Sequence, residues 1–286
     1  MSGARPDKTR FLSALRPFSL VVALAGCGLA ASLAWQDGYR APLPIALVML
    51  AGLALQAAVN LVNDHCDLHR SGFDAAQRRR IRRNARIGWL LFALVAAVGL
   101  YLVSLRGWPL ALLGLLGLAG AWGYAAPPLD YKSRGLGVPL VFLFMGVLFV
   151  GGAYYAITGD IGWRVVWLSL PFSLLASLLL LSNELRDLEA DRAAGIRTLS
   201  VRLGRDRAVR LYRLLLAGVY LTALGLYLGG LLPGVLALAL TLPALWQPLR
   251  LLQAPPQRRQ ALTPLTGRLY ALFSLAFLAG VWGLSP

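Results

Sequence analysis

Nine times along this chain a run of apolar residues, most of them about 20 long, passes with almost no charge. The runs lie near 17–35, 43–63, 87–105, 108–125, 138–158, 165–183, 211–229, 231–249 and 268–284. As helices, segments of about 20 residues cross the roughly 30 Å hydrocarbon core of a bilayer. None has the alternating pattern of a membrane barrel strand. Lipid offers no partner to backbone polar groups, so the helix is the expected form. We therefore expect an all-α, polytopic membrane protein with about nine transmembrane helices in one bundle. It forms a single domain, residues 1–286, with residues 1–16 as a basic cytoplasmic tail. The first run extends from Phe18 to Trp35, too long for a signal-peptide core. Composition closes the other routes, with 58% hydrophobic and 14% charged residues. A soluble domain holds roughly 45–50% and 25%. Only Cys27 and Cys66 are present, so there is no disulfide scaffold.

The chain carries 28 Lys+Arg against 12 Asp+Glu, a net charge of +16. In a soluble protein this would suggest nucleic acid. Here the cations flank apolar runs, where topology and anionic headgroups account for them, and no nucleic-acid partner is expected. The tail and the loops on its side of the membrane hold every Lys and Arg except Arg40, Arg106 and Arg164. That places the N-terminus in the cytoplasm and, with nine spans, the C-terminus outside, in a bacterial inner membrane. The same segments hold every acid except Asp37 and Asp160. Acids contribute little to topology, so this clustering asks for another reason.

Two clusters supply it. The first lies at the cytoplasmic end of the second run and includes Asn60, Asn63, Asp64, Asp67 and Arg70. Asp64 and Asp67 are three apart and share a helix face, with Asn60 and Asn63 close to the same stripe. The second, at the end of the sixth run, includes Asn183, Arg186, Asp187, Asp191 and Arg192. Asp187 and Asp191 are four apart, with Asn183 one turn earlier. Like charges at this spacing repel unless a cation compensates. Two such stripes facing each other make an oxygen-rich site suited to Mg²⁺, which favours carboxylates, waters and phosphate oxygens. Neighbouring Arg70, Lys132, Arg134, Arg186, Arg192 and Arg197 suit a diphosphate. Glu184 and Glu189 fall partly off the Asp187–Asp191 face and read as solvated or ion-paired. His65, Cys66 and His69 have the spacing of a transition-metal set, but the intervening acids favour a hard cation.

At these motifs the chain resembles the intramembrane aromatic prenyltransferases of the UbiA superfamily. The carrying residues are Asn63-Asp64-x-x-Asp67 and Asn183-x-x-Arg186-Asp187-x-x-x-Asp191, the latter continuing from Gly195 through Gly204. That extension is similar to the dihydroxynaphthoate branch, which serves menaquinone synthesis. So is the middle loop from Tyr124 through Pro127-Pro128, Tyr131, Lys132 and Arg134 to Gly137. The resemblance covers roughly residues 11 to 230. It implies a polyprenyl diphosphate, an aromatic acceptor and Mg²⁺ as cofactor. Asp64, Asp67, Asp187 and Asp191 would hold the metal, supported by Asn63 and Asn183. Arg70, Lys132, Arg186 and Arg192 would contact the diphosphate, and Tyr124 or Tyr131 would stabilise an allylic cation through its ring. Two departures stand out. Gln77 to Asn84 leads almost directly into the third run, as a diphosphate clamp or a lipid anchor, and Val138 stands where an acid is common.

Trp35, Trp108, Trp163 and Trp282 near run ends read as interfacial anchors. Gly114, Gly117 and Gly120 read as a helix-packing stripe or, alternatively, a substrate groove. Arg16-Pro17 reads as a helix start, although the family often has a basic residue near the site here. Other acceptors, hydroxybenzoate or a tetrapyrrole, stay open. So do a cation or phosphate transporter, suggested by the likeness of the two motifs, and a non-catalytic family member. Oligomeric state is left open.

Overall fold

A computed structural model describes residues 9–66, 68, 73–124 and 128–283. Among them there is helix and no strand. We number nine helices: α1 (Pro17–Gln36), α2 (Pro42–Cys66), α3 (Ala75–Arg106), α4 (Trp108–Gly123), α5 (Gly137–Thr158), α6 (Trp163–Ala193), α7 (Arg205–Leu228), α8 (Val235–Leu251) and α9 (Pro256–Val281). Each overlaps one expected run. Seven, against the nine expected, are long and apolar enough to cross a membrane; α4 and α8 are shorter. At 1.5 Å per residue, α4 reaches only about 24 Å. The first part of α8, Val235–Leu245, is a 3₁₀ helix, which rises faster per residue.

The chain divides into two compact units. Among the described residues, one holds those of 9–129 and 152–160; the other holds 130–151 and 161–283.

In the first unit, α2 and α3 pack along their length. Gly88 makes this possible, since a Cβ there would stand 3.0 Å from Val62 Cγ2 and 3.1 Å from Leu61 Cβ. The helix α3 begins well before the expected third run, taking in the whole Gln77–Asn84 stretch. The reason is local. Asp74 and Gln77 form a capping box, with Gln77 N–H donating to Asp74 Oδ1 at 2.7 Å and Asp74 N–H to Gln77 Oε1 at 3.0 Å. No Pro interrupts residues 75–106, and arginine is a good helix former. Gly107, at φ +81°, ends it. Of the glycine stripe on α4, Gly120 is buried, while among the described residues nothing lies within 4 Å of where a Cβ would stand on Gly114 or Gly117.

In the second unit α6 is the central element and the most buried span. Its serines satisfy themselves on carbonyls: Ser169 donates to Val166 O, Ser173 to Ser169 O and Ser182 to Leu179 O. Ser177 reaches across to Val138 O of α5 at 2.9 Å. Phe172 of α6 packs edge-on against Tyr270 and Phe277 of α9. Arg259, at the start of α9, is 1% exposed and donates to Glu189 of α6 at 2.5 Å. The ion-paired reading of Glu189 is therefore the one found. Glu189 itself is 51% exposed, but losing its carboxylate leaves the buried Arg259 charge without that partner. We expect Glu189→Gln to destabilise the folded protein by about 2 kcal/mol, read as a shifted unfolding midpoint in detergent.

Candidate active site

The first motif sits on the last turn of α2. Asp64 is 2% exposed, and Arg16 donates to its Oδ1 at 2.5 Å. Arg16 is thus more than a helix start. It holds a left-handed backbone, φ +49°, immediately before Pro17 opens α1. Asn60 ties down the same corner: its amide donates to Leu15 O at 2.9 Å and to Ser19 Oγ at 2.7 Å. That gives Asn60 a bracing role beneath Asp64. Asn63 is half-buried beside them, and Tyr124 is half-buried just past α4. Asp67 and Arg70 lie outside the described residues, as does His69.

The second motif occupies the last turns of α6. Arg186 grips Asp187 with two nitrogens, at 3.0 and 2.6 Å. Asn183, one turn earlier, has a buried Oδ1 with no hydrogen-bond partner among the described residues. Asp191 is half-buried; Arg192 is exposed. The helix then ends in a glycine C-cap, where Gly195, at φ +71°, donates to Arg192 O and Ile196 donates to Asp191 O at 2.9 Å. This turn fixes how far α6 carries the Asp187–Asp191 stripe. Gly195→Ala should cost about 1 kcal/mol, because a Cβ is disfavoured at that φ; thermal unfolding in detergent checks it.

The segment after the turn folds back on α6. Glu184, expected to be solvated or ion-paired, is instead 4% exposed and accepts from Ser200 N–H at 2.9 Å. It thereby caps the short helix Leu199–Leu203. Lys132 of the middle loop is close enough to act on the Glu184 carboxyl electrostatically. The same loop rests on Arg202, which donates to Ser133 O at 3.3 Å and to Arg197 O at 2.9 Å. Gly135 permits this approach: its φ is +76°, and a Cβ there would stand 2.6 Å from Arg202 Cδ. Tyr131 is 7% exposed in the loop, and burial pushes its phenol up to about 12. Arg134 is exposed. Loop, cap and α6 end thus form one packed assembly carrying Tyr131, Lys132, Asn183, Arg186, Asp187 and Asp191.

Residues 19–272 match the UbiA prenyltransferase family. The chain belongs to that family. It is 31% identical over 270 residues to the 1,4-dihydroxy-2-naphthoate octaprenyltransferase of Escherichia coli (strain K12), covering 88% of this chain and 83% of that protein. It is 28% identical over 194 residues to the protein of the same name from Bacillus subtilis (strain 168), covering 64% of this chain. That match spans 62% of the Bacillus protein's length. A solved structure of a UbiA homologue from Archaeoglobus fulgidus, bound to DMAPP and Mg²⁺, superimposes with a TM-score of 0.63 at 19% identity, covering 95% of this chain and 99% of that one. This chain is thus a multi-pass membrane member of the UbiA family, built on the same helical fold.

The side chains of this UbiA-family protein suit a hard cation. Among the described residues no three of His, Cys, Asp and Glu converge into a ready cage. Each motif by itself offers oxygen: a carboxylate on Asp64 in the first unit, and carboxylates on Asp187 and Asp191 with the Asn183 Oδ1 in the second. Carboxylate and amide oxygens of this kind suit Mg²⁺, which takes a few carboxylates and completes its shell with water and phosphate. Arg16 and Arg186 meanwhile match the charge of Asp64 and Asp187. From sequence alone Arg186 reads as a diphosphate contact and Arg16 as a helix start. A basic residue before the first span was the one available signal for Arg16.

Proposed function

We propose that this protein transfers a polyprenyl group from its diphosphate to a dihydroxynaphthoate ring, in a Mg²⁺-dependent reaction on the cytoplasmic side of a bacterial inner membrane. The observation that carries the reading is the end of α6, where Arg186, Asp187 and the orphaned Asn183 Oδ1 stand together. The names of the E. coli and B. subtilis relatives and the ligands of the A. fulgidus homologue support it.

In this reading Asp64, Asp67, Asp187 and Asp191 are the metal ligands, with Asn63 and Asn183 beside them. Mg²⁺, when bound, neutralises the departing diphosphate. Arg70, Lys132, Arg134, Arg186 and Arg192 hold the phosphate oxygens. Arginine's planar fork suits that task, so Arg186 exchanges a carboxylate for a phosphate partner when substrate arrives. Tyr124 and Tyr131 present ring faces to the allylic cation. With its phenol raised to about 12 by burial, Tyr131 stays neutral at physiological pH and offers a ring face rather than a nucleophile. The apolar spans receive the prenyl tail; the electron-rich naphthoate ring attacks the cation as the C–O bond to diphosphate breaks, and the ring then loses an electrofugal group, a proton or its carboxylate as carbon dioxide, to restore aromaticity.

The test is prenyl transfer by purified protein in nanodiscs, with Mg²⁺, a polyprenyl diphosphate, and dihydroxynaphthoate or 4-hydroxybenzoate in parallel. Prenylated naphthoate that disappears with chelator is the expected result. Product with hydroxybenzoate alone would replace the acceptor. No product and no diphosphate release with either ring would overturn the reading.

A further inference from the structure

The basic run ahead of the third span takes no part in the site above, and its fold gives it a distinct surface. As part of α3 it divides cleanly into two faces. Ile81, Asn84, Ala85 and Gly88 are buried, while Arg79, Arg80, Arg82, Arg83 and Arg86 are exposed. Among the described residues none of these five arginines forms an ion pair with an acid. Arg80 and Arg83 are three apart, so they sit one above the other on the helix. They line a cavity of about 670 Å³ closed on its other side by the Thr9–Ser13 segment. That segment brings Arg10 and two exposed apolar side chains, Phe11 at 36% and Leu12 at 72%.

The stripe changes character as α3 enters the membrane. One turn beyond Arg83 stands Ile87, followed by Trp89 and Leu90, exposed by 36%, 51% and 71%. Arg83 and Leu90 are about 10 Å apart along the axis. Cation, then Trp, then aliphatic chain is the order of layers from headgroup to hydrocarbon. A 32-residue helix is about 48 Å long, well beyond the roughly 30 Å core, so its basic turns stand at headgroup level.

We propose that the cleft formed by Thr9–Ser13, Arg80 and Arg83 is a binding site for an anionic phospholipid. The two guanidinium forks hold the headgroup phosphate. Phe11, Leu12, Ile87 and Leu90 contact the acyl chains. This is independent of the acceptor and of the metal chemistry proposed above.

The test is native mass spectrometry of the full-length protein supplied with phosphatidylglycerol and phosphatidylcholine in equal amounts. Wild type should retain phosphatidylglycerol preferentially. Each lost cation at a membrane surface weakens attraction about five-fold, so Arg80→Gln with Arg83→Gln should lower that retention roughly 25-fold and leave phosphatidylcholine unchanged. Both side chains are exposed, so the double variant should unfold at the wild-type temperature. Arg258→Gln, an exposed arginine on the other unit, should leave retention unchanged. Millimolar inorganic diphosphate should not displace the lipid. Equal retention of the two lipids by wild type, or unchanged retention by the double variant, would overturn the proposal. Displacement by diphosphate would overturn it in favour of a soluble-anion site.

Discussion

Asp187→Asn should lower kcat/KM for prenyl transfer by about a thousand-fold while leaving the protein folded. The substitution keeps size and shape and removes one negative charge. Metal stabilisation of a departing diphosphate is worth several kcal/mol, and every 1.36 kcal/mol is tenfold in rate. If Asp187 is the proposed ligand, losing its carboxylate forfeits much of that. The stability cost is small by comparison. Asp187 is 28% exposed and its partner Arg186 is the adjacent residue, so the pair contributes about 1 kcal/mol or less. Asp64→Asn makes an instructive contrast. Asp64 is 2% exposed and bound from 48 residues away to Arg16, itself 29% exposed, so its loss breaks a part-buried pair and costs about 2 kcal/mol besides activity. The measurement is product formation together with the unfolding midpoint for both variants. Asp187→Asn retaining a tenth or more of wild-type activity with the same Mg²⁺ dependence would sink the assignment.

That contrast marks the line between what the sequence discloses and what it hides. The apolar runs are legible because a bilayer imposes one length and one composition on every span, and each expected run has a helix. Asn183, Asp187 and Asp191 are legible as a helical stripe because three- and four-residue spacing is a local property. Pairings across many residues are not. Nothing local tells Asp64 that Arg16 is its partner, or Glu189 that Arg259 is. Glu184 is the sharpest case. A carboxylate just past a span's expected end reads as solvated, yet the chain returns through Gly195 and lays Ser200 on it. The start of α3 was hidden by a bias of a different kind. A run of arginines reads as a loop when hydropathy alone is followed, although arginine favours helix and Asp74–Gln77 spells a capping box.

Gly146→Ala should be the most destabilising single methyl in the second unit, and its sequence context does not announce it. Gly146 lies in the segment Phe142–Val147 of α5, where the backbone widens into a π-helix. The wider turn brings Gly146 against Ser173 of α6. A Cβ placed on it would stand 2.5 Å from Ser173 Cα and closer still to that residue's Cβ and Oγ. Overlap with a side-chain tip could be relieved by rotation, but overlap with a Cα cannot. Ser173 is fully buried and already bonded to Ser169 O at 2.9 Å, so it has nowhere to turn. The two helices must separate, and overpacking of this kind costs about 3 kcal/mol or more. Separation also disturbs the neighbouring Ser177 bond to Val138 O, at the start of α5 where the middle loop enters it. Activity should therefore fall along with stability. Gly151→Ala, on the same helix, is the control. Nothing lies within 4 Å of its Cβ position, so the only effect is the gain of a better helix former, up to about 1 kcal/mol. The pair of unfolding midpoints in detergent decides the matter: a Gly146→Ala protein as stable as Gly151→Ala would mean that α5 and α6 do not meet at this glycine.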